Sequence, residues 1–170
     1  MPPSYPVGLI WLRRDLRLAD HAALYHALRQ CRQVHCVFIF DDDILAPLPR
    51  ADRRVEFICQ SLSGLDDALR EASGRADTGL IVRRGQPAEQ IPDLARQLGA
   101  QAVFCNWDDE PDALARDARV RQALAAEGVA LHSFKDHMVF ARDEVLTQAG
   151  APFSVCLLYT SDAADERSSV

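Results

Sequence analysis

The chain has 170 residues, a net charge of −6 and 48% apolar residues. That length is one domain with room for a core, and the apolar share excludes a disordered chain. The acidic balance disfavours nucleic-acid binding by bulk charge, although local arginine patches remain, with Lys135 the single lysine among 19 basic residues.

The first apolar run, Val7 to Leu12, reads as a buried strand. It meets Arg13, Arg14, Asp15 and Arg17 at once, and Asp20 is placed to cap a helix through Gln30. A turn needs only residues such as Gly, Asn or Pro, so three arginines and an aspartate there call for a reason. "VHCVFIF" (Val34 to Phe40) is a second strand, followed by the polar loop "DDDILAPLPRA". Val55, Ile58, Leu62, Leu65, Leu69 and Ala72 then recur at helical spacing. "GLIVRR" (Gly79 to Arg84) is a third strand. Pro87 opens a helix that stops at Gly99, with an irregular start expected at Pro92. "AVFCNW" (Ala102 to Trp107) is a fourth strand. Asp112 is placed to cap a helix through Ala126, and "VALHSF" (Val129 to Phe134) is a fifth strand.

Five apolar strands alternating with amphipathic helices predict an α/β fold. It is a doubly wound, Rossmann-like, five-stranded parallel sheet with helices on both faces. Ligands in such folds sit beyond the carboxyl ends of the strands, where the strand order reverses. If the first and fourth strands are neighbours, the charges after them face a crevice rather than merely forming connections. No G-x-G-x-x-G or P-loop pattern is present, which disfavours ordinary dinucleotide or P-loop binding. The five cysteines form no C-x-x-C pair and are an odd number, so they read as reduced thiols, and the scattered histidines assign no metal. The longest apolar runs fall short of the roughly 20 residues of a membrane helix. "MPPSYPVG" has no signal-peptide pattern, so a cytoplasmic protein without a membrane partner is expected.

Several separated motifs, in order, resemble the N-terminal α/β domain of the DNA photolyase and cryptochrome family. They are "WLRRDLRLADHAAL", "VFIFDDDIL", "RVEFICQSLSGLDDAL", "NWDDEPDALARDARV" and "FKDHMVFARDEVLTQAGAPFSV". The likeness spans Val7 to Val155. His21 stands where the family usually has Asn. After Val155 the run "CLLYTSDAADERSSV" departs from the family's pattern. The reading is therefore a domain over 1–155, truncated before the helical FAD domain, and a non-native or disordered tail over 156–170.

The resemblance implies the light-harvesting, or antenna, domain of a DNA photolyase. The intact parent is a deoxyribodipyrimidine photo-lyase, a carbon-carbon lyase. It repairs UV-induced pyrimidine dimers by light-driven electron transfer from FAD, after the lesion is flipped out of the duplex. The FAD and lesion pockets belong to the absent helical domain. The chain alone is thus expected to be an inactive monomer with no tight FAD site, no catalytic residue and only weak, salt-sensitive DNA binding. Its partners would be that helical domain in cis and, through the parent, UV-damaged DNA. The same domain of a signalling cryptochrome is the alternative, and a stand-alone nucleotide-binding α/β module is a third reading.

For the antenna, folate-binding members resemble one another in an Asn-Glu pair. Asp112 and Ala113 stand there in this chain, which disfavours folate. Deazaflavin- or flavin-binding members carry Asp-x-Glu-Pro, as in Asp108 to Pro111. The implied cofactor-binding residues are Arg13, Phe40, Asp41, Asp108 and Glu110, with Arg13 facing the two acids. Trp107 reads equally as core or pocket wall. Arg14 and Arg17 read as bridging to Asp15, to loop carbonyls or to the absent domain, and Asp42 and Asp43 as solvated.

Overall fold

The first strand of the sequence is the middle of the sheet. The structure, a computed structural model, describes residues 3–75, 77–140, 144–147 and 150–151. The elements are β1 (Tyr5–Leu12), α1 (Ala22–Gln30), β2 (Cys31–Asp41), α2 (Asp42–Leu45) and α3 (Arg53–Ser73). They continue with β3 (Leu80–Gly85), α4 (Pro87–Leu98), β4 (Ala102–Asn106), α5 (Pro111–Ala126) and β5 (Ala130–Phe134). All strand pairings are parallel, in the order β3-β2-β1-β4-β5. The expected doubly wound α/β sheet is therefore the observed one. β1 and β4 are neighbours, and the strand order reverses between them.

β1 reads as a continuous apolar run because both its faces are covered. Leu9 and Trp11 join Val37, Ile39, Val103 and Cys105 in a core closed by Ile91, Leu94, Val120 and Leu124 of α4 and α5. Ile10 and Leu12 join Ala102 and Phe104 in a second core, closed by Ala23 and Ala27 of α1 and Leu65 of α3. The alternation is the two-residue period of a strand sorting its side chains onto two helical layers. β2 outruns the expected Val34–Phe40 because its pairing with β1 starts at Cys31, opposite Tyr5. Burial pushes the thiols of Cys36 and Cys105 up to about 11, so both behave as small apolar groups.

Helix boundaries depart from the sequence reading at three points. Asp20 does not cap α1: it has φ 51, and the cap falls one residue later. His21 takes that position, accepting from the Leu24 N–H at 3.1 Å. Asp112 does not cap α5. Glu110 is the N-cap and Pro111 the first helical residue, a position where proline's missing N–H costs nothing. Pro92 lies inside an unbroken α4 with its ring buried, and Gly99, with φ 65, ends that helix as expected.

The chain divides into a unit of residues 1–136, which holds the sheet, and a unit of residues 137–170. In the second, Thr147 and Ala151 close a turn by reciprocal hydrogen bonds, the Thr147 N–H to the Ala151 carbonyl and the Ala151 N–H to Thr147 Oγ1. The proposed tail, 156–170, lies outside the described residues. Among the described residues no helix is long and apolar enough to cross a membrane.

Candidate functional site

Two polar constructions sit at the carboxyl ends of β1 and β4. The first is a closed brace under the β1–α1 loop. Asp15 accepts from the Arg13 N–H at 2.8 Å and from Asn106 Nδ2 at 2.7 Å, and it lies 3.0 Å from His21 Nε2. Asn106, the last residue of β4, accepts from the Ala23 N–H at 2.9 Å with its own carbonyl oxygen. His21 Nδ1 is engaged as acceptor for the α1 cap, so Nε2 is the nitrogen left to donate to Asp15. Burial pushes the Asp15 carboxyl up. The hydrogen bonds from His21 and the Arg13 N–H, with the attraction of the imidazole, outweigh that and hold it at about 2. Beyond the brace, Arg17 pairs with Asp136 at 2.6 Å and donates to the Asp20 carbonyl, so its partners include a loop carbonyl as expected.

The second construction is an open cavity of about 680 Å³ at the reversal of strand order. Trp11, Phe38 and Phe40 give it an aromatic wall, and Ile44, Leu45 and Ile58 an aliphatic one. All five residues singled out from the sequence, Arg13, Phe40, Asp41, Asp108 and Glu110, line it. Asp41 ends β2 and caps α2, accepting from the Asp43 N–H at 3.0 Å, and burial pushes its carboxyl upward. Trp107, by contrast, is half-buried and lies outside the cavity lining.

The arginines are not arranged as expected. Arg13 does not pair with the two acids. Its guanidinium chelates Asp117 at 2.6 and 2.7 Å, donates to the Asn106 carbonyl and lies 4.8 Å from the Trp11 ring centroid. Arg14, one residue on, is the cation that meets Asp108, at 3.5 Å, and Glu110. Both arginines line the cavity, but the Arg13 side chain is largely covered, while that of Arg14 stays largely in solvent. Asp42 and Asp43, read as solvated, pair with Arg84 at 2.6 Å and Arg119 at 3.8 Å.

Charged residues of α5 escaped the sequence reading: Asp117, which holds Arg13, Arg119 at the cavity rim, and Arg116. Arg116 of α5 is buried at the cavity wall, with its guanidinium 5.4 Å from the Trp11 ring centroid. It reaches Asp41 at 4.0 Å, Asp108 at 3.7 Å and Asp117 at 3.5 Å. Its Nε–H has no hydrogen-bond partner among the described residues. The signal was present, because Ala113, Arg116, Val120 and Leu124 form the buried register of α5. A charge in an apolar register needs a partner.

An aromatic wall with a few fixed charged groups suits a flat, polar, conjugated ring. Comparison with known proteins gives this cavity its setting. The family model for DNA photolyase matches residues 8–168, running beyond Val155. An uncharacterized 31.6 kDa protein of Synechococcus sp. (strain PCC 6716) is 38% identical over 89% of this chain and 52% of its own. The deoxyribodipyrimidine photo-lyase of Synechococcus sp. (strain ATCC 27144) is 36% identical over 86% of this chain and 30% of its own. Cryptochromes are among the relatives as well. The chain thus spans about half of the first relative and under a third of the photo-lyase. The crystal structure of an archaeal photolyase from Sulfolobus tokodaii, described as holding two FAD molecules with the implication of a novel light-harvesting cofactor, superposes with a TM-score of 0.74. It is 27% identical, over 83% of this chain and 32% of that one. A sheet of this order, the motifs at its strand ends and a family match over nearly the whole length agree, and the chain belongs to the DNA photolyase family.

Proposed function

We propose that this chain is the light-harvesting domain of a DNA photolyase and that the cavity at the β1/β4 reversal is its antenna site. The observation that carries the reading is that Arg13, Phe40, Asp41, Asp108 and Glu110, chosen on sequence resemblance, line a single cavity beside Trp11. The residues fit a deazaflavin or flavin ring better than a folate. Phe40 and Trp11 offer faces for the ring, and Asp41 and Asp108 offer acceptors for its N–H edge. Arg116 offers donors, and Glu110 with Arg14 closes the rim. Arg13 acts through Asp117 and the Asn106 carbonyl, fixing the wall. When bound, such a chromophore would supply light absorption and energy transfer to FAD in the parent, and this chain's part is to bind, orient and dehydrate it.

The parent, on this reading, is a cytoplasmic, monomeric deoxyribodipyrimidine photo-lyase acting on UV-damaged DNA. The FAD and lesion sites lie in a helical domain outside this chain. The division at Val155 belongs to the same proposal, and sequencing across that junction tests it. The presence of cryptochromes among the relatives makes the signalling receptor the second reading, with the same antenna site.

The test is fluorescence titration of the chain with a deazaflavin, FMN and a reduced folate, on wild type, Asp108→Ala and Arg13→Ala. Binding of a deazaflavin or flavin weakened by both substitutions is the expected outcome. Folate binding alone, or flavin binding indifferent to both changes, would overturn the site. Stoichiometric FAD co-purifying in a second, unrelated site would contradict the placement of that cofactor in the helical domain.

A further inference from the structure

We infer that residues 42–52, from α2 to the cap of α3, form a strap that swings off the cavity and latches back over it through Asp43. The inference concerns entry to the cavity and holds whatever occupies it. Four strands lead into helices at the carboxyl edge of the sheet, and three of those connections are pinned. The β1–α1 loop is held by the brace and by the Arg17–Asp136 pair. The connection from β3 to α4 is Gln86 alone. After β4, the Trp107 N–H donates to the Phe134 carbonyl of β5 at 2.7 Å. The connection after β2 differs. Its internal bonds run from the Ala46 N–H to the Asp42 carbonyl and from the Leu48 N–H to the Leu45 carbonyl. Among the described residues, no hydrogen bond joins residues 44–51 to another element.

The two ends of the strap are fixed points. Asp41 accepts from the Asp43 N–H at one end, and Asp52 accepts from the Arg54 N–H at 2.8 Å at the other. Between them the fastenings are side chains. Asp43 Oδ1 accepts from Gln86 Nε2 at 2.7 Å, and its carboxylate lies 3.8 Å from Arg119 of α5. Asp42 pairs with Arg84 at 2.6 Å. The charged partners are 43 to 72% exposed, so these pairs contribute little and salt screens them. Apolar contact holds the strap no better. α2 has no buried residue, and Ile44 is 55% exposed although it lines the cavity. Pro47 and Pro49 restrict the backbone, so the segment moves as a body between its ends. Lifting it takes Ile44, Leu45 and Pro47 off the cavity wall. A weakly fastened segment on a pinned scaffold is where local opening costs least. An apolar face entering the cavity would cover Ile44 and so favour the latched state.

The test uses the 170-residue chain and no ligand, so a failure of the antenna reading does not decide it. Trp11 lines the cavity at 2% exposure, and the second of the two tryptophans, Trp107, lies outside the lining. In a Trp107→Phe background, acrylamide quenching of Trp11 fluorescence reports how often the cavity wall opens. Asp43→Ala cuts the strap from both Gln86 and Arg119. It should raise the quenching constant about threefold, in step with the open population. Arg119→Gln cuts one of the two links and should raise it less. High salt should raise quenching in the Trp107→Phe chain and add little once Asp43→Ala is present. Amide exchange in β1 and β2 should stay unchanged in every variant. Equal quenching in all the chains at both salts would overturn the strap. So would a rise accompanied by faster exchange in β1 and β2, which would mark loosening of the sheet itself.

Discussion

The brace and the cavity begin at the same two strand ends, and both hold short ion pairs, yet the buried cation of the cavity wall, Arg116, is held more loosely than any member of the brace. In the brace, Asp15 meets His21 and Asn106, and all three meet backbone amides, at 2.7 to 3.1 Å, while Asn106 Nδ2 lies 3.3 Å from His21 Nδ1. In the cavity, Arg116 reaches its acids only at 3.5 to 4.0 Å and keeps one N–H unpartnered. Buried polar groups at full hydrogen-bond distance fix a structure, because any rearrangement strands a donor or acceptor at about 1–3 kcal/mol each. Groups held loosely around an open volume retain donors and acceptors for something that enters. The answer to the charged stretch after β1 is thus divided. Asp15 belongs to the brace, Arg14 to the cavity rim, and Arg13 ties the two together through Asp117 and the Asn106 carbonyl.

The comparison breaks most readily at Asn106. Asn106→Ala removes the acceptor for the Ala23 N–H and a donor to Asp15 inside a buried network. A loss of about 3 kcal/mol in urea unfolding is expected, with weakened cooperativity in the β1–α1 region. A loss below about 1 kcal/mol would show that water replaces the side chain and that the brace is not closed.

Acid should act next. The Asp15 carboxyl is held at about 2 in the fold against an ordinary 3.8, so the unfolded chain binds its proton first as pH falls. The stability this contributes, about 2 kcal/mol, is complete above roughly pH 5 and is lost as pH falls toward 2. Asp15→Asn should flatten that part of the stability profile. A variant with the same acid limb as wild type would assign the acid sensitivity to other carboxylates.

Much of this architecture was legible because it rests on local signals. The strands are apolar runs covered on both faces, and the rule on reversal of strand order then puts Arg13 and Asp108 beside one crevice. His21 was not legible in the same way. It looked like a neutral replacement for an Asn in a helical first turn, but its value comes from Asp15 and from Asn106 on a distant strand. Asp20 attracted the cap assignment because capping preferences rank Asp high, whereas the loop's path decides which residue has cap geometry. Which of two adjacent arginines turns inward depends on where β1 leaves the sheet, and no periodicity encodes that.

That account of His21 makes a smaller prediction. His21→Asn should keep the α1 cap, since Asn caps well, but lose the reach to Asp15. It should cost about 1 kcal/mol, less than Asn106→Ala. His21→Leu should cost more than His21→Asn, because it removes the cap and the Asp15 contact together. Equal losses for the two would mean that the cap contributes nothing measurable.

The smallest stability effect should come from the most deeply placed charge of the cavity. Removing one partner of a buried ion pair is usually expensive, because the other charge is left without compensation. Arg116 differs in that each of its acids has a second partner. Asp108 has Arg14, Asp117 has Arg13 at full hydrogen-bond distance, and Asp41 has the Asp43 N–H. Arg116→Gln should therefore cost no more than about 1 kcal/mol in urea unfolding. The same substitution should weaken flavin binding about tenfold, since the Arg116 donors at the cavity wall are lost while Trp11 and Phe40 remain. Arg116→Lys separates charge from shape: it keeps the cation but loses the planar fork beside Trp11, and should recover only part of the affinity. A stability loss as large as that of Asn106→Ala, with ring binding unchanged, would make the cavity a second brace. The distinction drawn from contact length would then fail where it was expected to be sharpest.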